Sequence, residues 1–120
     1  MTTDAEFNLD TFQQLGEGEP VRLQKLAATF VTSAGKTLGE LELTMAKGEL
    51  GAVRPLAHKL KSSANWVGAV ALGRLSESLE YLPADASLVM VQNMIDSIRQ
   101  TFAATCVSID EAQQTPASIR

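Results

Sequence analysis

The chain has 120 residues, of which 45% are hydrophobic and 20% charged, and it carries a formal net charge of −4. Its length suits one domain, and its composition excludes a disordered or collagen-like chain. The acidic balance predicts no nucleic-acid partner, because binding of phosphates requires clustered Lys and Arg.

Aromatic residues make up 5% of the chain and helix-forming residues are plentiful, which predicts an all-α fold. The one cysteine, Cys106, cannot form an internal disulfide, and Cys and His are too few for a zinc site. We therefore expect no metal site and a reducing, cytoplasmic location. No stretch resembles a signal peptide or approaches the roughly 18 apolar residues of a membrane span, so no membrane contact is expected.

The N-terminal part of the chain predicts one short helix. Asn8 or Asp10 can cap it, and it carries the apolar residues Leu9, Phe12 and Leu15 before the break at GEGEP, residues 16–20. Residues 1–7 are expected to form a flexible lead-in.

A long helix is predicted from Pro20, which suits the first turn. Its apolar residues recur at helical spacing: Leu23, Leu26, Phe30, Ala34, Leu38, Leu41 and Met45. Gly48 is expected to end it. Gly35 and Gly39 lie on the face away from Phe30. They are either tolerated solvent-facing residues or positions where the absence of a side chain lets another helix approach.

The next predicted helix has an apolar stripe formed by Leu50, Val53, Leu56, Ala57, Leu60, Ala64 and Val67. Pro55 lies within it, so either the helix starts near Gly51 or it is kinked there. At its end, Gly68 is expected to take the left-handed conformation that lets the chain reverse.

Two further helices complete the pattern. The first stops before Pro83, and its apolar stripe is formed by Leu72, Leu75, Leu79 and Leu82. The second is capped by Asp85 or Ser87, and its inward-facing residues are Leu88, Val91, Ile95, Ile98 and Phe102. Residues 109–120 show no stripe and are expected to be flexible. The four long helices predict an antiparallel up-down-up-down four-helix bundle with an extra short N-terminal helix, as one domain over residues 8–108.

The only histidine, His58, lies well off the apolar stripe of its helix and should point outward. Helical spacing surrounds it with Arg54 at i−4, Lys61 at i+3, Ser62 at i+4 and Asn65 at i+7. Neutral imidazole is a good nucleophile near pH 7, and a lysine can offset the charge of a phosphoryl group on it. Spacing alone leaves open that His58 and the lysines around it are ordinary solvated residues.

Other chemistry at this histidine fits poorly. A metal site would need a second histidine, a Glu-x-x-His pair or cysteine partners. A Ser-His-Asp hydrolase would need a nucleophile elbow, which the sequence lacks.

The segment AHKLKSSANWVGA, residues 57–69, resembles the signature H-x-L-K-G-S-S-x-x-x-G-A of histidine-containing phosphotransfer (HPt) domains. The matching positions are His58, Leu60, Lys61, Ser63, Gly68 and Ala69. The turn KGEL at 47–50 and the segment LGRLSESLE at 72–80 also fall where that family has its elements, so the resemblance covers roughly residues 8–105. Ser62 departs from the signature, because the family usually has glycine there.

The resemblance implies a phosphoryl carrier. His58 would accept the phosphoryl group and donate it again. Chain reversal would bring Glu77 or Glu80 alongside the imidazole. In the similar family a polar or acidic residue at the Glu80 position commonly forms a hydrogen bond with Nδ1 of the histidine and leaves Nε2 free to attack. The alternative is that Glu80 is a solvated acid. Arg54, Lys59, Lys61, Ser62 and Asn65 would stabilise the phosphoryl group or contact the partner.

The implied function is a phosphorelay shuttle between receiver-domain aspartates, with receiver domains, a hybrid histidine kinase or both as partners. The chain would be a monomeric carrier without kinase activity or a cofactor of its own, since the receiver would supply Mg²⁺. Docking is expected around Ser62, Asn65 and the short helix with Phe12, and Trp66 either plugs a helix junction or contacts the partner.

Two other functions remain open. One is an adaptor that binds receiver domains or kinases without accepting phosphate, with Ser62 as a sign of lost transfer. The other is a homodimerising kinase fragment, which the sequence favours less because such helices carry an acid directly after the histidine, where this chain has Lys59.

Overall fold

The computed structural model describes residues 7–114, and within them every regular element is helical. The elements are α1 (Leu9–Gln14), α2 (Pro20–Ala46), a 3₁₀ turn (Leu50–Ala52), α3 (Val53–Val67), α4 (Val70–Glu80) and α5 (Leu88–Gln114). Each long helix packs against two others, α2 and α4 against both α3 and α5, and α1 lies on α3. The predicted four-helix bundle with an extra N-terminal helix is confirmed. Among the described helices, none combines the length and the apolar character needed to cross a membrane.

The helix starts follow the capping residues of the sequence. The Asn8 side chain accepts a hydrogen bond from the Thr11 backbone N–H at 3.0 Å, and the Ser87 hydroxyl accepts one from the Met90 backbone N–H at 3.1 Å. Pro20 occupies the first turn of α2 as predicted. Of the two candidate caps at each site, Asn8 and Ser87 are the ones used, because their oxygens satisfy N–H groups that have no intrahelical acceptor.

Pro55 does not kink the histidine helix. α3 begins at Val53, directly after the 3₁₀ turn, so Pro55 is its third residue. The first four N–H groups of a helix have no intrahelical acceptor, and the missing N–H of proline therefore breaks no bond there. The sequence left two alternatives open, and the structure shows a helix that starts just before the proline.

The predicted apolar stripes supply most of the core. On α3 the buried residues are Val53, Ala57, Leu60, Ala64 and Val67, and on α4 they include Leu72 and Leu79. The prediction that Leu88 faces inward is wrong: it is 56% exposed, because it opens α5 at the edge of the bundle, and burial on that helix begins at Val91.

The predicted flexible lead-in over residues 1–7 is wrong at its last residue. Phe7 is buried, and its ring centroid lies 5.6 Å from that of Phe12. The backbone N–H of the next residue, Asn8, donates to the Gly68 carbonyl at 2.7 Å, which fixes this part of the chain to the α3–α4 turn. Residues 1–6 lie outside the described residues.

The prediction that 109–120 form a flexible terminus is wrong for residues 109–114. α5 continues to Gln114, with Ile109 and Ala112 buried, while residues 115–120 lie outside the described part of the chain. The physical reason is the length of α2, whose first half lies beside residues 106–113 and requires α5 to cover it. The Gln13 side chain also donates to the Ala112 carbonyl at 2.9 Å.

The two glycines of α2 differ in their surroundings. A side chain added at Gly35 would lie 3.8 Å from the Phe102 ring of α5, so Gly35 marks a place where another helix approaches. Gly39 faces open space. Each of the two alternatives drawn from the sequence therefore applies to one glycine.

Gly68 ends α3 in the left-handed conformation, as predicted. Its φ is +85°, and a Cβ there would lie 2.6 Å from the Asn8 carbonyl oxygen. Both the backbone conformation and the close approach of the N-terminal segment therefore require glycine. This turn sets the antiparallel pairing of α3 and α4 on which the candidate site depends.

The same substitution at two glycines should have opposite effects on stability. We expect Gly68→Ala to lower the free energy of unfolding by at least about 1–2 kcal/mol, because the left-handed conformation disfavours a side chain and the added methyl group meets the Asn8 carbonyl. Gly39→Ala should raise it by about 0.5–1 kcal/mol, since Gly39 lies inside a helix next to open space. Urea unfolding of both variants measures the difference; a Gly68→Ala variant as stable as Gly39→Ala would contradict it.

Candidate functional site

The imidazole of His58 lies on the outer face of α3. The buried side of this helix is formed by its apolar stripe, and His58 falls opposite to it with a side chain that is 60% exposed. This is the orientation expected from helical spacing. An exposed ring on a packed helix can be reached by another protein without unfolding of the bundle.

Glu80 anchors one nitrogen of this ring. Because the chain reverses at Gly68, α4 runs back along α3, and its last residue, Glu80, comes level with His58. The Glu80 Oε2 atom lies 2.7 Å from His58 Nδ1. Of the two acids suggested by the sequence, Glu80 rather than the exposed Glu77 makes this contact.

The second oxygen of Glu80 binds a lysine. Lys61 Nζ lies 2.8 Å from Glu80 Oε1, and the side chains of the two residues are only 17% and 11% exposed. The Lys61 ammonium also lies 5.3 Å from the ring centroid of Tyr81. The carboxylate of Glu80 therefore bridges His58 and Lys61, and the lysine compensates for the burial of Oε1.

The charges of this cluster stabilise one another. The ammonium of Lys61, paired with Oε1, holds the pKa of the Glu80 carboxyl below its usual value, against the opposing effect of burial and with a further contribution from His58. The same contact with Glu80 raises the pKa of Lys61. Glu80 is thus an ionised carboxylate at neutral pH and can only accept hydrogen bonds.

This charge state fixes the tautomer of a neutral His58. A carboxylate that only accepts requires the hydrogen on Nδ1, and the lone pair of the neutral ring is then on Nε2. Nε2 is consequently the nitrogen that can attack an electrophile. The site is thus an exposed imidazole whose Nδ1 is held by a carboxylate, and this carboxylate is itself held by a lysine.

The lowered pKa of Glu80 predicts a specific loss of stability in acid. A carboxyl group whose pKa is lower in the folded than in the unfolded state stabilises the fold above the unfolded-state pKa, and this contribution is lost as pH falls through the folded-state pKa. As the pH falls below 4.5, the ordinary pKa of this carboxyl, the wild-type chain should therefore lose more stability than Glu80→Gln. Thermal unfolding across this pH range measures the difference, and Glu77→Gln controls for the removal of one negative charge. Parallel curves for wild type and Glu80→Gln would contradict the ion-pair account.

The remaining predicted site residues differ in their contacts. Arg54 donates through Nη2 to the Leu82 carbonyl at 3.0 Å, so it ties α3 to the chain after α4. Lys59 and Ser62 are exposed, and within residues 7–114 the Ser62 hydroxyl makes no hydrogen bond. Asn65 is also exposed and lies against Gly73 of α4, where any side chain would collide with its Oδ1.

Docking at α1 stays a prediction, but Phe12 itself cannot contact a partner. Its side chain is completely buried, because it forms the apolar contact of α1 with the bundle. Trp66 is 50% exposed, so part of it is accessible to a partner, and its contact with a partner stays a prediction.

Sequence reasoning missed Tyr81 and Gly73. Tyr81 follows the last residue of α4, where helical spacing no longer predicts the direction of a side chain. Gly73 lies inside α4, and the requirement for glycine comes from Asn65 on the neighbouring helix. No pattern within either segment carries this information, since both contacts link residues of different helices.

The chain is similar to known proteins in sequence and in fold. A family model described as the Hpt domain matches residues 25–105, a range that includes His58, Lys61 and Glu80. No curated protein compared with the chain matches it. The crystal structure of histidine-containing phosphotransfer protein B (HptB) from Pseudomonas aeruginosa PAO1 is similar, with a TM-score of 0.81 and 23% sequence identity, covering 91% of this chain and 95% of that chain. At this identity the likeness shows a shared fold.

Proposed function

The chain belongs to the Hpt domain family, and we propose that it carries a phosphoryl group on His58 between receiver-domain aspartates of a two-component phosphorelay. Family membership confirms the resemblance seen in the sequence and indicates a phosphotransfer role in two-component signalling. Proteins of this family are phosphoryl carriers that interact with receiver domains and kinases. The residue, the reaction and the partner class are the parts proposed here.

One observation carries the proposal: the His58 ring is 60% exposed while its Nδ1 is held by a nearly buried carboxylate. A solvated surface histidine needs no such support. A nucleophile does, because the carboxylate selects the reactive tautomer and stabilises the positive charge that the ring acquires when Nε2 forms a bond.

The proposed transfer is a single displacement at phosphorus. The Nε2 lone pair attacks the phosphorus of a receiver's aspartyl phosphate, the N–P bond forms, and the P–O bond to the aspartate breaks with its electron pair left on the carboxylate. The ring keeps the hydrogen on Nδ1, and Glu80 stabilises the charged ring. The return step, to the aspartate of a second receiver, reverses these changes.

The partner would provide most of the stabilisation of the transition state. Phosphoryl transfer depends on positioning and on neutralisation of charge, which in receiver domains we expect Mg²⁺ to provide. The chain is then a carrier and co-substrate without kinase activity. Its own contribution is the orientation of His58 by Glu80 and the presentation of the ring on a packed helix.

The charge of α3 suits an acidic partner surface. Although the whole chain has a net charge of −4, α3 carries Arg54, Lys59 and Lys61 and no acid. Lys61 is neutralised by Glu80, which leaves Arg54 and the exposed Lys59 to attract a receiver whose phosphorylated site is anionic. We propose these two residues, with Ser62 and Asn65, as the partner-facing surface around His58.

Ser62 is expected to matter through its size and its hydroxyl. It lies one turn after His58, where the family usually has glycine, and its exposed hydroxyl is free to bind a phosphoryl oxygen. Ser62→Val should slow transfer about tenfold, a cost of about 1–2 kcal/mol for lost bonding and added bulk, whereas Ser62→Gly should lie within about threefold of wild type. Single-turnover transfer rates from one receiver measure both. Unchanged rates in both variants would show that this face is not crowded by a docked partner.

Incubation with a phosphorylated receiver domain tests the proposal. We expect label to move to the chain in a form that is labile in acid and stable in base, as a phosphoramidate is. An adaptor that binds without accepting phosphate would instead associate with the receiver and stay unlabelled, and this outcome would replace the proposed function by the alternative drawn from the sequence.

A further inference from the structure

Lys61 is well covered for a lysine that neighbours an outward-facing histidine. Its side chain is 17% exposed, whereas Lys59, two residues earlier, is an exposed residue. Two groups cover the ammonium: the carboxylate of Glu80, 2.8 Å away, and the ring of Tyr81, whose centroid lies 5.3 Å away. The second distance is within the roughly 6 Å over which a cation is attracted to an aromatic face.

Tyr81 contributes little to the core, so its contact with Lys61 requires another explanation. The residue is 65% exposed. Its backbone N–H donates to the Glu77 carbonyl at 3.0 Å, which continues the hydrogen bonding of α4 by one residue and fixes where the ring leaves the helix. From this position the ring lies over the Lys61 ammonium of the neighbouring helix.

We propose that Tyr81 is a positioning residue of this site: its ring holds the Lys61 ammonium on Glu80 and so keeps the Glu80 carboxylate oriented toward His58. The expected effect on transfer rests on the proposed function of His58. The effect on Lys61 depends only on the contact between the ring and the ammonium group.

The need for such a residue arises when the phosphoryl group arrives. A dianionic group on Nε2 attracts the nearby ammonium, and a lysine side chain is long and flexible enough to move. If Lys61 moved, Glu80 Oε1 would remain in a side chain that is only 11% exposed and would lose its cation. The ring of Tyr81 opposes this movement because it attracts the ammonium at its present position and limits the space around it.

Substitution of Tyr81 by Ala and by Phe separates the ring from the hydroxyl. We expect Tyr81→Ala to increase the mobility of the Lys61 ammonium, seen in the order parameter of its ¹⁵Nζ signal, and to slow transfer by about two- to fivefold, the size expected for a partly exposed cation–π contact. Tyr81→Phe keeps the ring and should retain both the ordered ammonium and the wild-type rate.

A double-mutant cycle shows whether Tyr81 acts through Lys61. Lys61→Met keeps the length and bulk of the side chain and removes its charge. In that background Tyr81→Ala should cause no further loss of rate, because the ring has no ammonium left to hold. Circular dichroism of all variants checks that the bundle is folded.

Two results would overturn the inference. An ammonium as ordered in Tyr81→Ala as in wild type would show that the ring does not hold Lys61. Additive rate losses in the cycle would show that Tyr81 contacts the partner directly. A wild-type chain that accepts no phosphoryl group would refute the proposed function. The Tyr81 inference would then be decided by the ¹⁵Nζ signal alone, because the NMR measurement needs no phosphoryl donor.

Discussion

Replacing His58 by Gln is expected to reduce phosphoryl labelling of the chain to background. The glutamine amide has no nucleophilic lone pair on nitrogen, although it has similar reach and can still donate to Glu80. Because the imidazole is 60% exposed and the glutamine amide keeps a donor for Glu80, the bundle should remain folded. Incubation with a phosphorylated receiver, followed by acid and base treatment, measures the label.

The control for this experiment is Lys59→Gln. It lies next to His58 on α3, is exposed, and should retain the ability to be labelled even if its association with the receiver is slower. Acid-labile label that persists in His58→Gln would show that another residue accepts the phosphoryl group. If wild type and His58→Gln bind the receiver equally well and neither becomes labelled, an adaptor function would be favoured.

Removal of the Glu80 carboxylate is expected to have the second-largest effect. In Glu80→Ala the His58 ring loses the acceptor that selects its tautomer, and Lys61 loses its ion-pair partner. The bond between Nδ1–H and the carboxylate strengthens as the ring gains positive charge in the transition state, and loss of this gain should slow single-turnover transfer by about 10- to 150-fold. Quenched-flow transfer from one phosphorylated receiver measures this rate.

Glu80→Gln provides an intermediate case. Its amide oxygen can still accept from Nδ1, but it is neutral and cannot stabilise a charged ring as a carboxylate does. We expect Glu80→Gln to lose less rate than Glu80→Ala. Glu77→Ala, which removes an exposed carboxylate, should slow transfer by no more than about threefold. Equal rates in Glu80→Ala and wild type would remove the carboxylate from the account of the site.

The position of His58 and its contact with Glu80 could be predicted from the sequence. The apolar stripe of α3 has a clear helical period, and its phase alone turns His58 outward. Gly68 marks the chain reversal, which sets the antiparallel pairing of α3 and α4 and so brings Glu80 level with the histidine. Periodicity and one turn residue predict the outward His58 and the approach of Glu77 or Glu80, whereas the choice of Glu80 between the two came from the family resemblance.

The errors concern contacts between distant parts of the chain. Ile109 and Ala112 continue the buried face of α5, but Thr105, which is also buried, interrupts its apolar pattern, and the need for coverage comes from α2. Phe7 precedes any helical period, so only its packing on Phe12 reveals its burial. Tyr81 contacts Lys61 of another helix, and its position after the end of α4 gives no signal in the sequence.

The most direct test of the account is to locate the phosphoryl group on the phosphorylated chain by NMR. With His58 labelled with ¹⁵N, we predict a phosphorus coupling to Nε2, a hydrogen on Nδ1, and a Glu80 carboxylate still bonded to that nitrogen. A phosphoryl group on Nδ1, or on any residue other than His58, would contradict the claim that Glu80 selects the nitrogen that attacks.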